Sequence, residues 1–291
     1  TRQSLKSRLA SGDTLLGIFL VSNSPTLAEI VGLSGYDYVV IDMEHGPGGI
    51  PEAIACLRAL AVTGTPAIIR VPELCAALAK KALDIGPQGI MFPMIESADQ
   101  AELAVSYCRY PPKGIRGAAN VVRASAYGFD EGYLKWCREE LIVFCQVESE
   151  AGVAELDAIA AVDGVGGIQI GPRDLSASMG CLEEPDNPAV METLRTAERR
   201  ALAAGKKSTG PYLAGMATAL DSPGELLRRG YHMVGSGADL SLFRKAALQD
   251  VESFQKAKLA AATGDEGVKE RHTSNGVVKN RSYGSQMSNG Y

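Results

Sequence analysis

Histidine is scarce in this chain, with only three (His45, His232 and His272) among 291 residues. Few positions can therefore offer a neutral-pH base. The six cysteines (Cys56, Cys75, Cys108, Cys137, Cys145 and Cys181) form no CxxC pair and no zinc-ligand spacing. Most lie in apolar surroundings and are expected to be reduced core thiols. Positive charge is also short: 29 Lys and Arg stand against 34 Asp and Glu, a net charge of −5. Such a surface has no basic face for phosphates, so no nucleic-acid partner is expected. No apolar run is long enough to cross a bilayer, so no membrane partner is expected either. No GxGxxG follows the first strand-like run, which counts against an open dinucleotide-binding sheet. GPGG (46–49) lacks the spacing and lysine of a phosphate loop and reads as a turn. The chain begins at Thr1 and shows no targeting segment. A cytoplasmic location is expected, with an organelle after presequence removal as the open alternative.

What is present is a regular alternation. Apolar strand-like runs at 15–21, 38–45, 67–72, 89–97, 141–149, 166–176, 207–215 and 232–240 are each followed by a helix-like stretch. The runs are continuous rather than alternating in polarity, as in strands buried on both faces. Gly35, Gly64, Gly86, Gly164, Gly205 and Gly230 punctuate the helix ends. Eight βα units in a chain that is 46% hydrophobic predict a closed (β/α)8 TIM barrel over residues 1–261. Residues 262–291, rich in Gly, Ser, Asn and charge, are expected to form a disordered polar tail. Residues 111–140 are too long for a plain connection, and are expected to hold a functional loop and a short helix that covers the barrel mouth. The last helix is unusually long and is expected to dock on another subunit.

In such a barrel the chemistry sits where the strands end. Glu148 and Asp174 close the fifth and sixth runs. Two carboxylates from adjacent strands repel unless a cation lies between them, so they form a two-point seat for Mg²⁺ or Mn²⁺. His45 follows the second run and is the one histidine placed to act as a base; His232 begins the eighth run, at the opposite end. Asp84 is expected to orient His45, across the site or from a neighbouring subunit, or to be an ordinary polar residue at a helix end. Arg70 closes the third run after three apolar residues, where a guanidinium needs a partner. That partner is a substrate carboxylate, or else Asp42 or Glu44. GSGAD (235–239) reads as an anion site or a plain turn.

The stretches DMEHGP (42–47), IIRVP (68–72), ALDIGPQGIMFPMIES (82–97), YPPKGIRG (110–117), RAS (123–125), QVES (146–149) and IGPRDLSASMG (170–180) resemble the HpcH/HpaI aldolase family. These are metal-dependent class II pyruvate aldolases of the 2,4-dihydroxyhept-2-ene-1,7-dioate and 2-dehydro-3-deoxyglucarate type, within the phosphoenolpyruvate/pyruvate barrel superfamily. The resemblance implies a lyase that splits a 4-hydroxy-2-oxo acid reversibly into pyruvate and an aldehyde through a metal-stabilised enolate. It implies that Glu148 and Asp174 hold the metal, with other divalent ions such as Co²⁺ also accepted. It further implies that Arg70 binds the pyruvate oxygens, that Gln146 lines the site, and that amides near Gly171 and Asp174 hold the carboxylate. His45 with Asp84 would move protons. A homohexamer exchanging its last helix is also implied, whereas the residues alone support an oligomer of unstated size.

The absence of a lysine inside the barrel speaks against a Schiff base, because Lys206 and Lys207 lie at the entrance of the seventh run. Two other uses of an enolate compete. One is decarboxylation of oxaloacetate, as in a macrophomate-synthase-like enzyme. The other is a citrate-lyase-like acyl-CoA lyase, for which the long segment offers only the scattered cations Lys113, Arg116 and Arg123. A barrel that binds a small oxo acid without turnover is the third alternative. Arg173, between Pro172 and Asp174, departs from the family pattern and is a candidate contact for an acidic aldehyde or a neighbouring subunit, or is merely solvated.

Overall fold

The structure, a computed structural model, describes residues 3–184, 186–205 and 210–263. Helix α1 (Leu5–Ala10) comes first. Then follow β1 (Leu15–Leu20), α2 (Pro25–Leu33), β2 (Tyr38–Asp42), α3 (Ile50–Thr63), β3 (Ala67–Arg70), α4 (Ala76–Asp84), β4 (Gly89–Phe92) and α5 (Ala98–Cys108). A 3-10 turn (Arg123–Gly128) and α6 (Tyr133–Glu140) precede β5 (Ile142–Val147), α7 (Glu150–Ala154) and α8 (Leu156–Ala161). The chain continues through β6 (Val165–Ile170), α9 (Pro172–Ser178), α10 (Pro188–Gly205), β7 (Tyr212–Met216), α11 (Pro223–Arg228), β8 (Met233–Ala238) and α12 (Asp239–Thr263). Each strand pairs in parallel with the next, and β8 pairs with β1. This is the expected (β/α)8 barrel.

Two apolar layers hold it. Inside the barrel, Phe19, Tyr38, Val40, Ile68, Met91 and Phe144 form one cluster. Large rings face glycines there: a Cβ on Gly17 would lie 2.2 Å from the Tyr38 ring, and one on Gly167 2.3 Å from that of Phe144. The alternation of bulk and gap gives a filled interior rather than a pore. Leu5 and Leu9 of α1 are buried against the same cluster. A larger layer lies between the sheet and the helices, with Ile41, Ile69, Ile90, Cys145 and Ile168 among its buried members. The six cysteines are free thiols, four of them buried.

Two expectations change. Residues 111–140 join α5 to β5, so they lie at the end of the barrel where strands begin. Arg123 donates through Nη1 to the Ile85 carbonyl just after α4, and this segment does not cover its own barrel mouth. The crossover between β5 and β6 is two short helices, broken at Glu155, rather than one. The chain also divides into two compact units between Arg244 and Lys245. The described part of the second unit is the remainder of α12, whose Val251, Phe254 and Leu259 are exposed. That helix continues through Thr263; the rest of the expected polar tail, 264–291, and His272 lie outside the described residues.

Candidate active site

The side-chain period of two brings Asp42 and Arg70 inward at the same level. Tyr38, Val40 and Asp42 alternate on β2, Ile68 and Arg70 on β3, and the register pairs Asp42 with Arg70. Arg70 donates bidentately, Nε to Asp42 Oδ1 at 2.9 Å and Nη2 to Oδ2 at 2.6 Å. Its Nη1 lies 2.9 Å from Glu44 Oε2. The guanidinium also sits 5.0 Å from the centre of the Phe19 ring. Burial works against the charge, yet the bonds and charge of Asp42, with Glu44, hold the Arg70 pKa above its ordinary value. The partners weighed from sequence, Asp42 and Glu44, are therefore both engaged. Arg70 nevertheless still lines the cavity.

Asp42 also ends its strand. Its Oδ1 accepts from the amides of Glu44 (3.0 Å) and His45 (3.3 Å), which turns the chain into the loop. Asn23 secures that loop: Nδ2 donates to the Asp42 carbonyl at 3.0 Å, and Oδ1 accepts from Gly48 N at 2.7 Å. A Cβ on Gly46 would lie 2.2 Å from the Asp42 carbonyl oxygen, so GPGG is a close-packed turn and not a phosphate cradle. The GSGAD stretch ends in Asp239, which is buried and accepts from Val21 N at 2.9 Å and from the Ser22 amide and hydroxyl. A buried carboxylate in that position disfavours an anion there.

Glu148 is buried just beyond β5. Its Oε1 accepts from Met94 N at 2.9 Å, and its Oε2 from Gln146 Nε2. Met94 adopts a left-handed backbone (φ 51°), an unusual conformation for this residue that aims its amide at the carboxylate. Burial pushes the Glu148 pKa up to about 7; the two hydrogen bonds oppose this, and the charges of Asp174 and Glu44 add to it. Burial, Asp42 and Asp174 likewise raise Glu44 against the pull of Arg70 and His45. Gly171 allows the approach, because a Cβ there would lie 2.2 Å from Glu148 Oε2. Asp174 follows in the first turn of α9.

This donor set fits a divalent cation. Asp42, Glu44, Glu148 and Asp174 outnumber the one guanidinium among them, and Gln146 Oε1 is buried without a partner. Among the described residues no group of three or more His, Cys, Asp or Glu forms a metal cage. A two-carboxylate seat leaves coordination positions for substrate and water, as an open catalytic site requires.

His45 is 60% exposed, with Nε2 4.0 Å from Glu44 Oε2. With Arg70, Gln146, Gly171 and Asp174 it lines one cavity of about 430 Å³. Asp84 is not brought to it. It is the last residue of α4, at the end of the barrel where strands begin, and it accepts from Arg116 Nη2 at 2.9 Å. Arg116, read from sequence as a scattered cation, is buried; it donates to Tyr133 Oη at 2.8 Å and lies 4.7 Å from the Tyr110 ring centre. His232 accepts from Leu213 N through Nδ1 at 3.0 Å, and burial lowers its pKa, as befits a structural histidine. Asn23, Asp239 and Arg116 are the positions that sequence reasoning missed. An asparagine after a strand and an aspartate opening a helix were weak signals for two of them; for Arg116 there was none.

A family model described as HpcH/HpaI aldolase/citrate lyase matches residues 15–246. The 2-keto-3-deoxy-L-rhamnonate aldolase of Escherichia coli O17:K52:H18 is 38% identical over 254 residues, covering 87% of this chain and 93% of that protein. An HpcH/HpaI aldolase/citrate lyase family protein from Burkholderia cenocepacia superposes with a TM-score of 0.81 at 34% identity, covering 86% of this chain and 98% of that one. Macrophomate synthase superposes at 0.74 with 25% identity, over 87% of this chain and 91% of that one. The chain belongs to the HpcH/HpaI aldolase/citrate lyase family, and is a carbon–carbon lyase of the divalent-metal-dependent, class II aldolase kind.

Proposed function

We propose that the substrate is a 4-hydroxy-2-oxo acid, cleaved reversibly to pyruvate and an aldehyde at the cavity around Arg70. The observation that carries this reading is the convergence of Glu148 and Asp174, whose charge adds to the cost of ionising the buried Glu148, beside a guanidinium locked by Asp42. The name of the Escherichia coli relative fits it: a 2-keto-3-deoxy acid has the 2-oxo group and the unsubstituted C3 that such cleavage needs.

Glu148 and Asp174 would hold Mg²⁺ or Mn²⁺, which when bound supplies Lewis-acid charge where the enolate develops. Arg70 contributes a fixed positive charge to the 2-oxo group, and its bidentate tie to Asp42 means that it need not reorganise during reaction. Gln146 and the backbone around Gly171 orient the carboxylate end. His45 Nε2 takes the proton from the 4-hydroxyl in cleavage and returns it in synthesis. Asp84 lies at the other end of its own barrel, so its partnership with His45 requires a second copy of the chain; we place this in a homo-oligomer, by family resemblance a hexamer. Oxaloacetate is the second 2-oxo acid the site would accept, since its decarboxylation leaves the same enolate and macrophomate synthase shares the fold. An acyl-CoA substrate is disfavoured by the burial of Arg116. No helix among the described residues is long and apolar enough to cross a membrane, and a cytoplasmic place accords with this.

Deuterium exchange into the methyl group of pyruvate, followed by NMR with Mg²⁺ or Mn²⁺, tests the reading. Metal-dependent exchange that is lost in Arg70→Ala and Glu148→Ala is expected. Exchange that persists in Glu148→Ala, or none with any metal, would overturn it.

A further inference from the structure

His45, which lines the cavity, has little to hold its own ring. The side chain is 60% exposed and, among the described residues, makes no hydrogen bond; Glu44 Oε2 stands 4.0 Å from its Nε2. Its place within its own chain is therefore set by the backbone turn from Asp42 to Gly48 that carries it. The Asn23 side chain spans that turn. Asn23 follows β1, is buried, and has a left-handed backbone with φ 51°. Its Nδ2 donates to the Asp42 carbonyl at 3.0 Å, where the turn leaves β2, and to the Leu20 carbonyl at 3.3 Å. Its Oδ1 accepts from Gly48 N at 2.7 Å, where the turn closes. The turn wraps this amide closely: a Cβ on Gly46 would lie 2.4 Å from Asn23 Oδ1, and one on Gly48 2.7 Å. Asn23 is in turn fixed from three sides. Its carbonyl accepts from Cys56 Sγ of α3 at 3.2 Å. Before it, Val21 N and Ser22 N donate to Asp239. After it, Ser24 caps α2 by accepting from Leu27 N.

We infer that Asn23 is a positioning residue for the reaction, acting through His45 by holding the turn that carries it. The inference rests on the aldolase reading and on His45 as its base. A base works only within hydrogen-bond reach of its proton. A displacement of about 1 Å can cost about a hundredfold in rate. A turn held only at its ends by the sheet would drift by that much, and three hydrogen bonds from one buried amide prevent it. Asp42 Oδ1 helps at the amides of Glu44 and His45, but that carboxylate is shared with Arg70. The side-chain bonds of Asn23 go to none of Arg70, Glu148 and Asp174. Its loss should therefore spare the metal seat and the pyruvate site, and strike the proton step at the 4-hydroxyl.

The test is steady-state cleavage of 4-hydroxy-2-oxopentanoate by the full chain with Mn²⁺, in the parent, Asn23→Gly, His45→Ala and the double variant. Glycine accepts the left-handed backbone, so this substitution removes the amide without adding strain. Asn23→Gly is expected to lower kcat about a hundredfold, with KM and the Mn²⁺ dissociation constant within about twofold of the parent. In the His45→Ala background the same substitution should change the residual kcat by less than about twofold, because the group it positions is gone. Gly48→Ala, which pushes the turn off Asn23 from its far side, should also lower kcat and leave KM unchanged. An Asn23→Gly variant as active as the parent overturns the inference. So does a parallel rise in KM or in the Mn²⁺ dissociation constant, or a loss in the double variant that adds in full to that of His45→Ala, since Asn23 would then support the site as a whole. Metal-dependent methyl exchange in pyruvate, measured on the parent, separates the two levels. Exchange together with any of these results overturns the role of Asn23 alone, whereas absent exchange overturns the aldolase reading beneath it and this inference with it.

Discussion

At Gly171, a single methyl group would intrude to 2.2 Å from Glu148 Oε2, and no side chain on that backbone can avoid it. Gly171→Ala is therefore expected to displace the carboxylate, weakening Mn²⁺ binding by calorimetry at least tenfold, with a smaller effect on thermal stability. Equal affinity in the variant would show that Glu148 is not a ligand. Arg70 presents the opposite case, a residue whose partner is at risk. Arg70→Ala strands Asp42, which is fully buried, and is expected to cost about 3–5 kcal/mol of stability in urea unfolding as well as activity. Residues of this kind were legible because a charged side chain closing an apolar strand has few reasons to be there. Asn23, Arg116 and Asp239 were not. Their partners stand 19, 32 and 218 positions away, a separation that local pattern cannot bridge.

Elements were read well where burial on both faces left a continuous apolar run, and less well at their ends. The second run extends through His45 by hydropathy, yet β2 stops at Asp42. The reason is chemical: Asp42 takes the amides of Glu44 and His45 out of the sheet ladder. The long segment between α5 and β5 was placed at the wrong end because its length, not its position after a helix, guided the reading; the order of helix and strand alone fixes the end. One tie between elements has a measurable consequence. Asp239, at the start of α12, holds the loop that follows β1 through the amides of Val21 and Ser22. Hydrogen bonds to a carboxylate are worth about 1.5–3 kcal/mol each. Asp239→Ala is expected to lower the melting temperature by several degrees, with Asp239→Asn intermediate. An unchanged melt in Asp239→Ala would show that the loop holds itself.

For the whole barrel, the site is a concentration of negative charge that folding must tolerate. Glu148 has a folded pKa of about 7, above its ordinary value of 4.5. The folded chain therefore binds this proton more tightly than the unfolded chain does. The resulting stability is fully present below about pH 4.5 and is lost as the pH rises through about 7. On the proposed seat a divalent cation would reverse the balance, because it would bind the ionised carboxylate and displace the proton. Its affinity should rise with pH up to about 7 and then level. Metal at a hundred times its dissociation constant adds about 2.7 kcal/mol, which is about 4–5 °C of melting temperature in a chain of this size. The shift produced by a fixed Mn²⁺ concentration should accordingly be larger at pH 8 than at pH 6, and should shrink at both in Glu148→Gln. Equal shifts at the two pH values in the unmodified protein would mean that the cation displaces no proton from Glu148.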